Sequence, residues 1–138
     1  MRKRTVSREF ALQVLYQVDI TRDIPEVALD NFWSVRAKEE IEPELKEFTS
    51  KLVKGVISNM AHIDKKISEY AANWQLKRMA VVDRNIMRMG CFEILYCEDI
   101  PSKVSINEAV DLAKKFSGVE AGKFVNAILD KVKIEKEK

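Results

Sequence analysis

The stretch Glu9–Val18 leaves this chain few ways to fold. Coiled as a helix, Phe10, Ala11, Leu12, Val14, Leu15, Tyr16 and Val18 cover well over half of its circumference. Only a narrow strip with Glu9, Gln13 and Gln17 stays polar, and Tyr16 borders it. A helix that is apolar nearly all round must be enclosed by other helices. The rest of the chain can supply them. Four Gly and three Pro interrupt 138 residues, and no alternating apolar run marks a strand. Charged residues make up 33% of the chain and alternate with apolar ones at three- and four-residue spacing, the composition of a helical bundle. The expected fold is all-α: six or seven helices in two packed bundles forming one domain over 1–138. The sub-bundles fall at about 1–73 and 74–138, joined near Tyr70–Leu76.

Element boundaries follow from local chemistry. Asp23-Ile24-Pro25 reads as a helix start, with proline in the first turn and Asp23 or a neighbour as cap. Pro43 opens the next helix, whose apolar face runs through Leu45, Phe48, Leu52, Val56 and Met60 to Ile63 and Ile67. That run is long for one globular helix, which predicts a break near Ser58–His62. Trp74–Pro101 is the most apolar segment, with Val82, Ile86, Met89, Gly90 and Ile94 on one face. Asp83 and Glu93 project toward that face, so each needs a partner or an edge position, and Arg84 and Arg88 are the nearest cations. Ser105 and Glu108 have the S-x-x-E spacing of a capping box ahead of Ile106, Ala109, Val110, Ala113 and Phe116. Gly118 tolerates the positive φ of a helix end, and a last helix carries Phe124, Val125, Ile128, Leu129 and Val132 inward. The tail from Lys131 to Lys138 is expected to fray.

Several function classes are excluded. No apolar run approaches the roughly 20 residues of a membrane span, and the basic amino terminus lacks the apolar core of a signal peptide, which points to a cytoplasmic protein. Cys91 and Cys97 fall on different helix faces, and His62 is the single histidine, so a disulfide, a metal site and a cofactor are all unsupported. No phosphate loop, carboxylate cluster or nucleophile–base pair is present, so no catalytic residue is assigned and the chain is not expected to be an enzyme.

Binding remains. Arg2, Lys3, Arg4 and Arg8 form an amino-terminal basic arm without an acid, suited to phosphates. Gln13, Gln17, Tyr16, Lys123, Phe124 and Asn126 add amides and aromatic faces of the kind that read and stack unpaired bases. The net charge of +2 adds no support, so the case depends on where the charges sit.

Four segments carry a family resemblance. They are ALQVLYQ (Ala11–Gln17), WQLKRMAVVDRNIMRMGCFEI (Trp74–Ile94), DIPSKVSINEAVDLAKKFSG (Asp99–Gly118) and GKFVNAILDKV (Gly122–Val132). In order and spacing the chain resembles the NusB transcription antitermination proteins over almost its whole length, departing at Ala127, where the family usually has glycine. The resemblance implies pairing with NusE, a small-subunit ribosomal protein. It further implies binding of boxA, a single-stranded RNA signal in ribosomal RNA leaders, within the antitermination complex of RNA polymerase. It would give Arg2, Lys3, Arg4, Arg8, Gln13, Glu120, Lys123, Phe124 and Asn126 to RNA, and Tyr16 and Asp83 to the NusE surface. A second expectation is a docking module like the amino-terminal domain of ribosomal RNA cytosine methyltransferases, although the chain ends at Lys138, just after the module. A third is a homodimeric bundle whose RNA surface is masked until its partner arrives.

Overall fold

Apolar residues at helical spacing become helices wherever a neighbour can cover them. The computed structural model describes residues 2–71 and 75–138. Within these, seven α-helices follow one another: α1 (Lys3–Thr21), α2 (Pro25–Val35), α3 (Pro43–Ser58), α4 (Met60–Tyr70), α5 (Val81–Tyr96), α6 (Ser102–Phe116) and α7 (Val119–Glu137). A short 3-10 turn, Leu76–Arg78, precedes α5. There is no strand among the described residues. Part of the expected join at Tyr70–Leu76, residues 72–74, lies outside them.

The boundaries obey the proline and glycine signals. Pro25 and Pro43 occupy the first turns of α2 and α3, where a missing N–H removes no helical hydrogen bond. Ile24 and Glu42 precede them in extended conformation, and neither start uses a side-chain cap, so Asp23 does not serve as one. The long apolar run breaks at Asn59, whose side-chain amide donates to the Gly55 carbonyl. At Gly118, φ is 116°, and the Ala113 carbonyl accepts from the N–H groups of both Ser117 and Gly118. The last helix does not fray early. Its Glu135 accepts from Lys66 Nζ at 2.8 Å and Tyr70 Oη at 2.7 Å, which ties α7 to α4.

Helix α5 is the axis of the molecule. It packs against α1, α3, α4, α6 and α7, and every residue from Asn85 to Ile94 is buried. Ile86, Met87 and Ile94 are completely inaccessible, and burying each such side chain contributes about 1.5–3 kcal/mol. On α1, Ala11, Leu12, Val14 and Leu15 join the same core. Phe10, Phe32 and Trp33 meet edge to face at 5.1–5.9 Å and fasten α2 to α1.

Of the three buried charged residues among those described, Arg8, Arg88 and Glu93, the two most deeply buried pair with each other. Arg8 and Glu93 are 2% and 1% exposed. Arg8 Nε and Nη2 donate to the two Glu93 oxygens at 2.8 and 2.7 Å, a bidentate geometry. Burial works against the guanidinium charge, but the hydrogen bonds and field of Glu93, with that of Glu108, hold the Arg8 pKa above its ordinary value. Ser105 Oγ donates to Glu93, Thr5 Oγ1 donates to Glu108, and Arg8 Nη1 reaches Glu108 at 3.2 Å. Two expectations are corrected here. Ser105 and Glu108 form no capping box, because α6 already starts at Ser102 and both side chains turn into the Arg8 network. Arg8 is no mobile cation, because α1 starts at Lys3 and carries it straight into the core.

Removing one partner of a buried ion pair leaves an uncompensated charge. Glu93→Ala is therefore expected to lower unfolding free energy by about 3–5 kcal/mol in denaturant titration, whereas Lys3→Ala, at an exposed pair, should leave it nearly unchanged.

Candidate nucleic-acid and partner interface

One face of α1 carries three of the sequence-predicted residues, Arg2, Gln13 and Tyr16, in an order set by its pitch. At its amino-terminal end, Arg2, Thr5 and Glu9 line a groove of about 560 Å³ whose other wall is α6, with Asn107, Glu108, Asp111 and Lys115 among its residues. Lys115 crosses the groove to Glu9, at 2.5 Å. One turn further, Glu9, Leu12, Gln13 and Tyr16 meet Val82 and Phe116 in a smaller, almost wholly apolar hollow. Beyond it, Gln13, Tyr16, Gln17 and Ile20 face Phe32 and Arg36 of the α2 region across a third depression, of about 430 Å³. The strip thus changes from charged to apolar along a single helix.

Lys3 and Arg4 point to the opposite side of α1, toward α3. Lys3 Nζ sits 2.6 Å from Glu42 and 2.7 Å from Glu44. Hydrogen bonds that Lys3 donates to Glu42 and then Glu44 raise its pKa well above that of an ordinary lysine, and Lys3 in turn holds the Glu44 carboxyl below its usual range. Arg4 lies over the Phe48 ring at 4.3 Å and reaches Asp99 at 3.5 Å. Both remain exposed at the surface. The arm cations are therefore held on a helix rather than carried on a loose tail.

The carboxy-terminal residues form a separate group. Glu120, Lys123 and Asn126 are exposed on α7, with Lys123 Nζ 3.5 Å from Glu120. Phe124 is half-buried and packs against the core. This group has no extensive packing against α1 among the described residues. It is connected through α6, since α6 packs on α7 while its Lys115 reaches α1. The α6–α7 approach is tight at Gly122, where an added Cβ would come within 2.9 Å of the Lys114 side chain. A larger residue there would displace the Lys114 side chain.

Asp83, at the start of α5, accepts from Ser117 Oγ in the α6–α7 connection. Its expected cation neighbours are engaged elsewhere. Arg84 Nε donates to Asp19 at 2.7 Å, and Arg88 binds Asp64 through Nε at 2.8 Å while reaching Asp19 through Nη1 at 3.1 Å. Buried Asn85 donates to Asp19 as well. The V-D-R-N-I-x-R motif thus converges on one carboxylate of α1 and locks α1, α4 and α5 together. Nothing local in the sequence marks Asp19 for this role, because three of its partners lie more than sixty residues away.

Phe116 departs from its expected place. Its spacing puts it on the apolar arc of α6, but it lies at the last turn, beyond the end of the core, and is 48% exposed. With Tyr16, 41% exposed, it gives the hollow two accessible aromatic rings. His62 is an exposed residue of α4 paired with Tyr96. Cys91 and Cys97 are free and buried, and burial pushes the Cys91 thiol up to about 12, so neither is a reactive group. Among the described residues, no cluster suits a metal ion and no helix is long and apolar enough to cross a membrane.

Comparison with known proteins decides the family. The model of the NusB family matches residues 5–133. The chain belongs to the NusB family. Transcription antitermination protein NusB of Desulfatibacillum aliphaticivorans is 45% identical over 96% of this chain and 90% of its own length. Among solved structures, T. maritima NusB superposes with a TM-score of 0.86 at 34% identity, covering 96% of this chain and 91% of that one. A chain from the crystal structure of antitermination factors NusB and NusE in complex with dsRNA also gives 0.86, at 28% identity and 98% coverage of both. The segment Arg84–Arg88 is accordingly, in this chain, first of all a packing device.

The Asp19 network sets a pH dependence. Burial raises the Asp19 pKa, but hydrogen bonds from Arg84 and Asn85 and the charge of Arg88 outweigh it, so the folded carboxyl is held below its ordinary value. A depressed folded pKa stabilises the protein fully above the unfolded carboxylate range, near about pH 3.9, and the contribution is lost as pH falls through the folded value. Asp19→Asn should therefore be less stable at neutral pH and show a shallower loss of melting temperature below about pH 4.

Proposed function

We propose that this chain is an antitermination factor that binds, together with NusE, a boxA-type single-stranded RNA in nascent ribosomal RNA leaders, and so enters the antitermination complex of RNA polymerase. It acts as a binding protein, not an enzyme, in the cytoplasm, with the whole of 1–138 working as one RNA-binding domain. The observation that carries this reading is the family match over nearly the entire chain. It is supported by a relative of the same fold crystallised with NusE and dsRNA, and by coverage of 90% or more of the antitermination relatives quoted in sequence and structure.

The cations around the start of α1 and on α7 and the apolar hollow beside Tyr16 divide the work. Arg2, Lys3 and Arg4 supply charge for phosphates, with Lys115 across the groove from Arg2 and Lys123 on α7 continuing the cationic side. Gln13 and Asn126 offer amides for base edges, Glu120 an acceptor, and the accessible edge of Phe124 a stacking surface. Arg8 acts only through the core, by fixing α1 against α6. Tyr16 and Asp83 flank the apolar hollow and belong to the NusE side, joined there by Phe116 and Val82. An aromatic-lined apolar depression beside a charged rim is the composition of a protein-binding patch.

The two surfaces separate in experiment. Arg4→Glu combined with Lys123→Glu should weaken boxA RNA binding several-fold. In filter binding across a salt series, the slope should flatten by about 0.7 for each phosphate no longer neutralised. Unchanged affinity and slope would remove RNA from this face. Tyr16→Ala with Asp83→Lys should abolish co-purification with NusE while the helical circular dichroism signal persists; disappearance of that signal would make Asp83 a structural residue instead. Light scattering on the free protein distinguishes both from a homodimer that covers the same strip.

A further inference from the structure

Four of the five exposed cations assigned to RNA, all but Arg2, share a property that RNA binding does not require. Lys3 is held by Glu42 and Glu44, Arg4 by Asp99, Lys115 by Glu9 and Lys123 by Glu120, each an acid of the same chain. Stability does not account for the pattern, because exposed pairs add little to it. The side chains of Lys3, Glu42 and Glu44 are 53, 55 and 69% exposed. Glu9 is the clearest case. Both of its carboxylate oxygens accept from Lys115 Nζ across the groove, at 2.5 and 3.3 Å, and no other partner of that carboxylate is seen among the described residues.

The consequence lies in what a phosphate meets on arrival. Sequence-independent affinity comes from cations that replace the counterions of a phosphate backbone. A lysine already neutralised by a carboxylate about 3 Å away offers little of that gain, and the carboxylate repels the incoming charge. An RNA that contributes phosphates alone therefore competes poorly. One that adds stacking and base-edge contacts has a second source of binding energy with which to displace the acids. The low net charge of +2 agrees with a surface that is not built to attract nucleic acid in general.

We propose that Glu9, Glu42 and Glu44 are specificity-determining residues on the two sides of the amino-terminal part of α1: they occupy Lys115 and Lys3 in the free protein and suppress binding of RNAs that present only a phosphate backbone. The inference rests on the RNA reading above. It assigns to acids of the cationic side a role opposite to contact. The upward shift at Lys3 and the downward shift at Glu44 mean that both partners are charged around neutral pH, so the competition operates there and is not a pH switch.

The test compares two probes, a boxA-containing single strand and an oligouridylate of equal length, titrated into the full chain over a salt series. Glu9→Gln and the double variant Glu42→Gln/Glu44→Gln are expected to bind oligouridylate several-fold more tightly at low salt. The salt slope should steepen by about 0.7 for each lysine released. Affinity for boxA should rise less, so the ratio between the two RNAs falls. Lys115→Gln and Lys3→Gln serve as the reference arm and should weaken both probes. If those lysine variants weaken binding while the acid variants leave oligouridylate unchanged or weaker, the acids only orient the lysines and the inference is overturned alone. If the lysine variants leave affinity and slope unchanged, the RNA assignment of this face fails and the inference fails with it. Should Glu9→Gln not fold, the α3 pair, exposed in the first turn, carries the same comparison.

Discussion

Everything on the binding side of this molecule is referenced to the Arg8–Glu93 pair. A charged guanidinium and a carboxylate in a helical core are tolerable only when each satisfies the other, and here two nearly parallel hydrogen bonds do so. Because Glu93 lies on the central helix and Arg8 on the first, the pair fixes the rotation of α1 about its own axis. Ser105 and Glu108 extend that constraint to α6. An apolar contact at this place would allow α1 to turn or slide by a fraction of a residue; a bidentate pair with fixed lone-pair directions does not. The grooves along α1 have the composition they have because this rotation is settled.

The second polar network does for the other end of α1 what the first does for its beginning. Asp19 gathers Arg84, Asn85 and Arg88, while Arg88 also binds Asp64 of α4. The first helix is thus pinned to α5 at two positions about three turns apart, Arg8 and Asp19. Along this pinned helix the outward strip runs from the Arg2–Glu9 groove to the Tyr16 hollow. A surface built on such a frame has little ordering left to do on binding.

Much of the fold is legible in the sequence because it depends on local signals. Pro25, Pro43 and Gly118 act through backbone geometry of their own turns, and each marks the boundary it predicts. The break near Ser58–His62 follows from length alone. What local pattern misjudges are residues with a choice of partner. Ser105 and Glu108 have capping-box spacing, yet charge-assisted bonds to a core arginine and its partner glutamate are stronger than a cap, and α6 begins a turn earlier. Phe116 has core periodicity but sits past the last layer that could cover it. The tail from Lys131 reads as free because Lys66 and Tyr70, which hold it, are distant in sequence.

The sequence by itself determined that the chain would be helical, where most helices begin and end, which faces turn inward and which family it resembles. Those properties depend on periodicity and on residues within a few positions of one another. Only the tertiary structure decided which of the basic residues face solvent. Arg8 differs from Arg4 by one helical turn and nothing in the local sequence separates them; one lies over Phe48 at the surface and the other is sealed against Glu93, 85 residues away. It likewise decided that Lys3, Arg4, Lys115 and Lys123 have acids beside them. Electrostatic neighbours are set by helix packing across long stretches of chain, and no spacing rule along the sequence encodes them.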